Sequence, residues 1–135
     1  MKIVVIDGQG GRMGKLIVEG IIAANIDCEL LAIGTNSTAT QAMMKAGAPS
    51  GATGENPVIV ACRDADIIVG PIGIVSADSL LGEVTPNMAV AIGQSKAVRL
   101  LLPVNHCNNQ VIGVKAMGMN ELIKATIDKI KEVIG

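Results

Sequence analysis

Lys2-Ile3-Val4-Val5-Ile6-Asp7-Gly8-Gln9-Gly10-Gly11-Arg12-Met13-Gly14-Lys15 is the stretch whose reading decides the fold. A β-branched run stops at an acidic residue, passes glycines at 8, 10, 11 and 14, and enters an apolar helical pattern. Strand, glycine loop and helix N-terminus in that order follow the physical logic of a dinucleotide fingerprint. One glycine permits the tight turn, and another lets backbone N–H groups approach a pyrophosphate. A third lets helix and strand pack closely, while the helix dipole favours the anion. Gly8, Gln9, Gly10, Gly11, Arg12, Met13 and Gly14 are thereby the first candidate cofactor-binding residues. The competing reading is a tight strand-to-helix turn that binds nothing.

Outward from this loop, the first strand is Lys2 to Ile6. A helix from Arg12 to Ala24 places Met13, Leu16, Ile17, Ile21 and Ala24 at helical spacing. A second apolar strand covers Glu29 to Ile33, and Gly34-Thr35-Asn36-Ser37 is the loop after it. Ser37 or Thr38 can cap a second helix that stops at Gly47. Ala48 to Gly54 is small and loop-like, leaving room for only a brief third strand. Glu55 to Arg63 reads as a short helix, Asp66 to Val69 as a strand, and Ile74 to Gly82 as partly helical. Thr85-Pro86 is a strong helix start, with Thr as the cap and Pro at the first helical position. That helix runs to Gln94, and Ala97 to Leu102 is another buried strand. Asn105 to Asn109 is a turn-rich link, after which Gln110 to Val114 is short enough to return as an antiparallel partner. Asn120 caps the last helix, whose stripe is Ile123, Ile127, Ile130 and Ile134. Strands alternate with helices, and the strands are continuous apolar runs, which indicates a parallel sheet covered on both faces. The expectation is one α/β domain over residues 1–135. Its sheet is doubly wound, mostly parallel and Rossmann-like, with Gln110 to Val114 as an antiparallel edge strand.

A chain of 135 residues fits a single domain and is short for a cofactor domain plus a substrate domain. It is 50% hydrophobic and has no Phe, Tyr or Trp, so its core must be built from Ile, Val, Leu, Met and Ala. Part of that apolar excess is expected in a subunit interface, which favours a homo-oligomer. The net charge is −1, with no basic cluster and no aromatic side chain to stack on a base, which disfavours a nucleic-acid partner. Ile3 to Ile6 is too short for a signal-peptide core, and no apolar run is long enough to span a membrane. Three scattered cysteines fit a reducing cytoplasm better than a disulfide framework.

Ligands of open parallel sheets sit beyond the carboxyl ends of the strands. Besides the glycine loop, this selects Gly34 to Thr38, Gly70 to Gly73, and Pro103 to Cys107. Thr35, Asn36, Ser37, Pro71, Ile72 and Gly73 are candidate cofactor contacts on that basis, and Asn105 is a candidate substrate contact. An NAD site places an acid about 20 residues beyond the glycines to bind the ribose 2′-hydroxyl. No acidic residue lies between Leu30 and Gly54. The neutral Thr35, Asn36, Ser37 and Thr38, with Arg12 nearby, therefore lean toward NADP over NAD; the same polar group could equally be a helix cap. Arg12 could reach a phosphate or be a solvated arginine. Asp7 reads best as a carboxylate accepting backbone N–H bonds within the turn. His106 beside Cys107 in a turn makes a poor nucleophile pair. Cys28, Cys62, His106 and Cys107 lack metal-ligand spacing, so no metal site is expected. Cys28 and Cys62 read as small buried hydrophobes. Glu55, Asp78 and Glu83 read as solvated carboxylates.

Gly8 to Gly14 resembles the Gly-x-x-Gly-Arg-Met-Gly turn of the nucleotide-binding domain of dihydrodipicolinate reductase, a user of NADPH or NADH. That resemblance covers the first strand–helix unit alone. The family's His-His and Lys catalytic segment is absent from this sequence. A wider resemblance joins Gly8 to Gly14, Gly34-Thr35-Asn36-Ser37, Gly51-Ala52-Thr53-Gly54-Glu55-Asn56, Asp66 to Val75, and Pro103-Val104-Asn105. Through these segments the chain is similar to a family of short bacterial proteins catalogued as a domain of unknown function. The resemblance implies a Rossmann-like, nucleotide-binding fold and no particular activity. The leading functional expectation is a cytoplasmic homo-oligomer that binds NADP(H), or less readily NAD(H), through Gly8 to Gly14. A small oxidoreductase completed by a neighbouring subunit is an alternative, as is a nucleotide sensor or scaffold without catalysis.

Overall fold

The computed structural model describes residues 1–104 and 108–135. Its strands are β1 (Lys2–Asp7), β2 (Glu29–Gly34), β3 (Ser50–Thr53), β4 (Ile67–Pro71) and β5 (Val98–Leu102). Its α-helices are α1 (Arg12–Ala23), α2 (Ser37–Lys45), α3 (Glu55–Cys62), α4 (Pro86–Gln94) and α5 (Met119–Ile134), and a 3-10 turn spans Ile72–Val75. The strands form one sheet in the order β3-β2-β1-β4-β5, and every pairing is parallel. Successive strands step outward from β1 through β2 to β3. The chain then returns to place β4 on the other side of β1. The direction of winding thus reverses between β1 and β4, where parallel sheets open a crevice at the carboxyl ends of their strands.

Alternate residues of β1 feed two cores. Ile3 and Val5 join Met13, Ile17, Val18 and Ile21 of α1, Met43 of α2, and Ile127 and Ile130 of α5. Val4 and Ile6 join Val58, Ala61 and Cys62 of α3 and Met88 and Ile92 of α4. This arrangement explains why the strand sequence is a continuous apolar run: both of its faces are covered. Ile3, Val4 and Val5 are wholly inaccessible to solvent. Aliphatic and methionine side chains fill both layers, and no buried side-chain nitrogen or oxygen among the described residues lacks a partner.

Most element positions agree with the sequence pattern, including the short α3 and the Thr85-capped α4, where Thr85 accepts from the Met88 N–H. Four expectations are corrected. Gln110 to Val114 forms no strand. Pro103 ends the β5 ladder because it has no N–H to donate. The later segment is broken by a turn at Ile112-Gly113, with Gly113 at φ 86° and Ile112 exposed. The cap of α2 is Asn36, whose side chain accepts from the Ala39 N–H, leaving Ser37 as the first helical residue. Gly118 precedes α5, so Asn120 lies inside the helix. Cys28 is only half-buried, whereas Cys62 is buried. Among the described residues, no helix is long and apolar enough to cross a membrane.

Ile17, fully buried where α1 meets the sheet, tests this packing most simply. Ile17→Ala is expected to lower stability by about 2–5 kcal/mol, the cost of a cavity in a close-packed core. Denaturant unfolding followed by far-UV circular dichroism reads the change. A loss well below 1 kcal/mol would contradict the packing described.

Candidate functional site

The turn after β1 is built on Asp7. Its carboxylate accepts from the Gly8 N–H (2.8 Å) and from the Gly14 N–H (2.7 Å), so one side chain pins both ends of the glycine loop. Asp7 is only 6% exposed. Burial pushes its pKa upward; the two N–H donors oppose that shift, and the charge of Glu83 adds to it. The role read for Asp7 from the sequence is the one the structure shows.

The four glycines of the loop then separate by physical cause. A side chain on Gly8 would collide with Thr35, Leu80 and Glu83. Gly11 has φ 74° and lies against the backbone of Ala39. Gly14 lies against Met43 and the Asp7 Cβ. Each is a glycine for reasons internal to the fold. Gly10 differs: a Cβ there would meet nothing within 4 Å, and its φ is ordinary. The N–H groups of Gly10, Arg12 and Met13 have no acceptor among the described residues. They lie at the positive end of the α1 dipole.

Glu83 completes the site. Its Oε1 accepts from the Gln9 N–H (2.9 Å), the Thr35 hydroxyl (2.7 Å) and the Asn36 amide (2.7 Å), bridging the loops that follow β1 and β2. Burial raises its pKa, but these three donors outweigh burial and hold it below the usual glutamate range. The Asn36 amide also donates to the Gln9 carbonyl, so the two loops are stitched together. Glu83 arrives on the segment 76–84 between the 3-10 turn and α4, which also lays Leu80 over Gly8.

The candidates divide accordingly. Gln9 and Gly10 are exposed at the loop, and Arg12 is exposed in the first turn of α1. Met13 packs in the core beneath the loop. Thr35 and Asn36 face Glu83, while Ser37 begins α2. Pro71 ends β4, and Ile72 and Gly73 lie in the 3-10 turn, where the Gly73 carbonyl accepts from the Ser79 hydroxyl. Asn105, His106 and Cys107 lie outside the described residues. Glu83, read from the sequence as a solvated carboxylate, is the site residue that reading missed. The available signal was its place in the connection after β4, at the ligand-bearing edge of the sheet. Burial raises the thiol pKa values of both Cys28 and Cys62, which disfavours either as a nucleophile. The prominent surface grooves, of about 520, 320 and 270 Å³, lie at α3–α4 and around β5 and α5. None is lined by residues of the glycine loop.

The two carboxylates give opposite pH dependences. Glu83, with its folded pKa depressed, stabilises the fold above the ordinary glutamate range, and that contribution is lost as pH falls through the folded value. Asp7, with its pKa raised, costs stability as pH rises through its folded value. Glu83→Gln is therefore expected to lower stability at pH 7 by about 1 kcal/mol or more. Its difference from the native protein should shrink once pH drops below about 4. Denaturation midpoints at the two pH values check this; an equal difference at both would contradict it.

Among proteins of known function and structure the matches are few. No curated protein matches the chain. A crystal structure of a dodecameric FMN-dependent Ubix-like decarboxylase from Escherichia coli O157:H7 matches it at 10% identity, with a TM-score of 0.43. The match covers 100% of this chain and 95% of that one. The cofactor in the name of that structure is FMN. The expectation of NADP or NAD is corrected by the geometry of this protein's own site. Within this protein, the loop after β2 is not free of acid as its own sequence suggests, because Glu83 is supplied to Thr35 and Asn36 from 47 and 48 residues away. A 2′-phosphate there would meet a carboxylate, and a pyrophosphate would find the Gln9 N–H already engaged. The family model for the domain of unknown function DUF3842 matches residues 2–135, and the chain belongs to that family.

Proposed function

We propose that this protein binds a small phosphate-bearing ligand, mononucleotide-sized or smaller, at the carboxyl end of its sheet. The carrying observation is Gly10. Neither backbone conformation nor packing accounts for a glycine there, and it lies beside N–H groups that have no acceptor among the described residues. A ligand phosphate above Gly10 supplies the reason: it accepts from those amides, favoured by the α1 dipole, and needs the space that a side chain would fill. Arg12, exposed in the same helical turn, adds a charge-assisted donor. With Glu83 in the position seen here, a ligand of dinucleotide length could not cross from the β1 loop to the β2 loop, because this carboxylate bridges that path.

This reading is of a binding module. Asp7 is occupied in holding the loop, and Glu83 is surrounded by donors, so neither is poised for proton transfer. A homo-oligomer in the cytoplasm remains part of the reading. Val98 on the outer strand β5 is exposed, and so are Val111, Ile112 and Val114, apolar surface that a second copy would cover.

Gly10→Val tests the reading, since the fold has room for the side chain and the ligand does not. Titration calorimetry with AMP and with FMN is expected to show saturable binding to the native protein and at least a tenfold loss in the variant. The thermal midpoint should change by no more than a few degrees. Binding that survives the substitution would exclude Gly10 as the contact.

A further inference from the structure

The segment 76–84 covers the crevice between the ends of β1 and β4 with the protein's own side chains. Leu80 is 3% exposed and is wedged between two glycine positions. A Cβ on Gly8 would be 2.8 Å from its Cδ1, and one on Gly73 would be 3.7 Å from its Cδ2. Beside it, a single oxygen of Glu83 takes the donors of the flanking loops. Those donors are an N–H, a hydroxyl and an amide, with no cation among them. They would serve a phosphate or carboxylate oxygen of a ligand as well as they serve Glu83.

The segment is also closed on itself by its own backbone hydrogen bonds. Its ends are tied to each other: the Asp78 N–H donates to the Val84 carbonyl (2.7 Å) and the Val84 N–H to the Ser79 carbonyl (3.2 Å). The Gly82 N–H closes the turn onto Asp78 and Ser79. Its backbone is held in an unfavourable form, with the non-glycine residues Asp78, Leu80 and Leu81 at φ 64°, 54° and 57°. Leu81 combines that conformation with 96% exposure, so nothing within the chain compensates for it. The closed form is held against this strain by the Glu83 bonds, the Ser79–Gly73 bond and the burial of Leu80.

Resting on the phosphate reading above, we propose that segment 76–84 is a self-closing lid whose Glu83 carboxylate occupies an oxyanion position. A ligand anion gains the site by displacing it. A ligand phosphate on the Gly10, Arg12 and Met13 amides lies next to the Gln9 N–H that Glu83 occupies, so the two anions repel each other. Displacing Glu83 frees the Gln9, Thr35 and Asn36 donors for further ligand oxygens. The observed affinity is then the intrinsic affinity reduced by the fraction of molecules with the lid open.

The test uses the full chain, native and as Glu83→Gln and Glu83→Ala, labelled with ¹⁵N. Amide hydrogen exchange is read at Gln9, Gly82 and Val84 without ligand, and AMP is then titrated while the Gly10 amide is followed. Both variants are expected to exchange faster at all three amides and to bind AMP about 5- to 10-fold more tightly than the native chain. Faster exchange with weaker AMP binding would overturn the proposal, because Glu83 would then be a ligand contact and not a competitor. Unchanged exchange, or equal AMP affinity in all three proteins, would overturn the lid while leaving the phosphate reading intact. AMP binding to none of them would remove the phosphate reading and the displacement with it.

Discussion

The Asp7 carboxylate is the constraint on which the carboxyl edge of this sheet depends. It stands at the end of the central strand, buried, and holds the N–H groups of Gly8 and Gly14 on its two oxygens. With the two ends of the loop joined in this way, α1 must begin at Arg12 and must lie close against β1. Gly14 has no room for a side chain in that position, because Asp7 and Met43 lie against it. Of the other amides of the turn, Gln9 donates to Glu83 and Gly11 to the Gly8 carbonyl, which leaves those of Gly10, Arg12 and Met13 without an acceptor among the described residues. A structural carboxylate thus helps decide, by subtraction, which amides of the turn stay unpaired among the described residues.

The second consequence is electrostatic. The glycine loop has one buried carboxylate beneath it, and Glu83 brings another across its mouth. The two carboxylates are held differently. Asp7 sits where burial raises its pKa, whereas Glu83 is held by three donors and stays readily ionised. The donors around Glu83 come from two separate loops, so this one side chain couples the ends of β1 and β2 to the segment leading into α4. The chemistry of the site follows from that coupling more than from the glycine pattern alone.

Much of the fold was legible from local pattern. The continuous apolar runs identified strands covered on both faces, the 3.6-residue periodicity identified α1 and α5, and Thr85-Pro86 marked the start of α4. What failed was information carried by contact and not by neighbourhood. Gln110 to Val114 has strand-like composition, but Pro103 closes the β5 ladder before it and Gly113 turns the chain within it. Asn36 took the cap of α2 from Ser37 because its side chain also reaches the Gln9 carbonyl, a partner 27 residues away. Glu83 was invisible for the same reason, since its three donors lie 47 to 74 residues distant in sequence. The lean toward a 2′-phosphate counted acids along the chain, whereas the decisive acid arrives through space.

The most direct measurement of the central claim is a ¹H–¹⁵N map of the native protein during titration with inorganic phosphate, which carries the proposed anion and nothing else. The amides of Gly10, Arg12 and Met13 should shift with a common saturation curve, while those of Gly8 and Gly14, already held by Asp7, should move little. Shifts scattered over other surfaces, or none near Gly10 at saturating phosphate, would contradict the placement of an anion site on this loop.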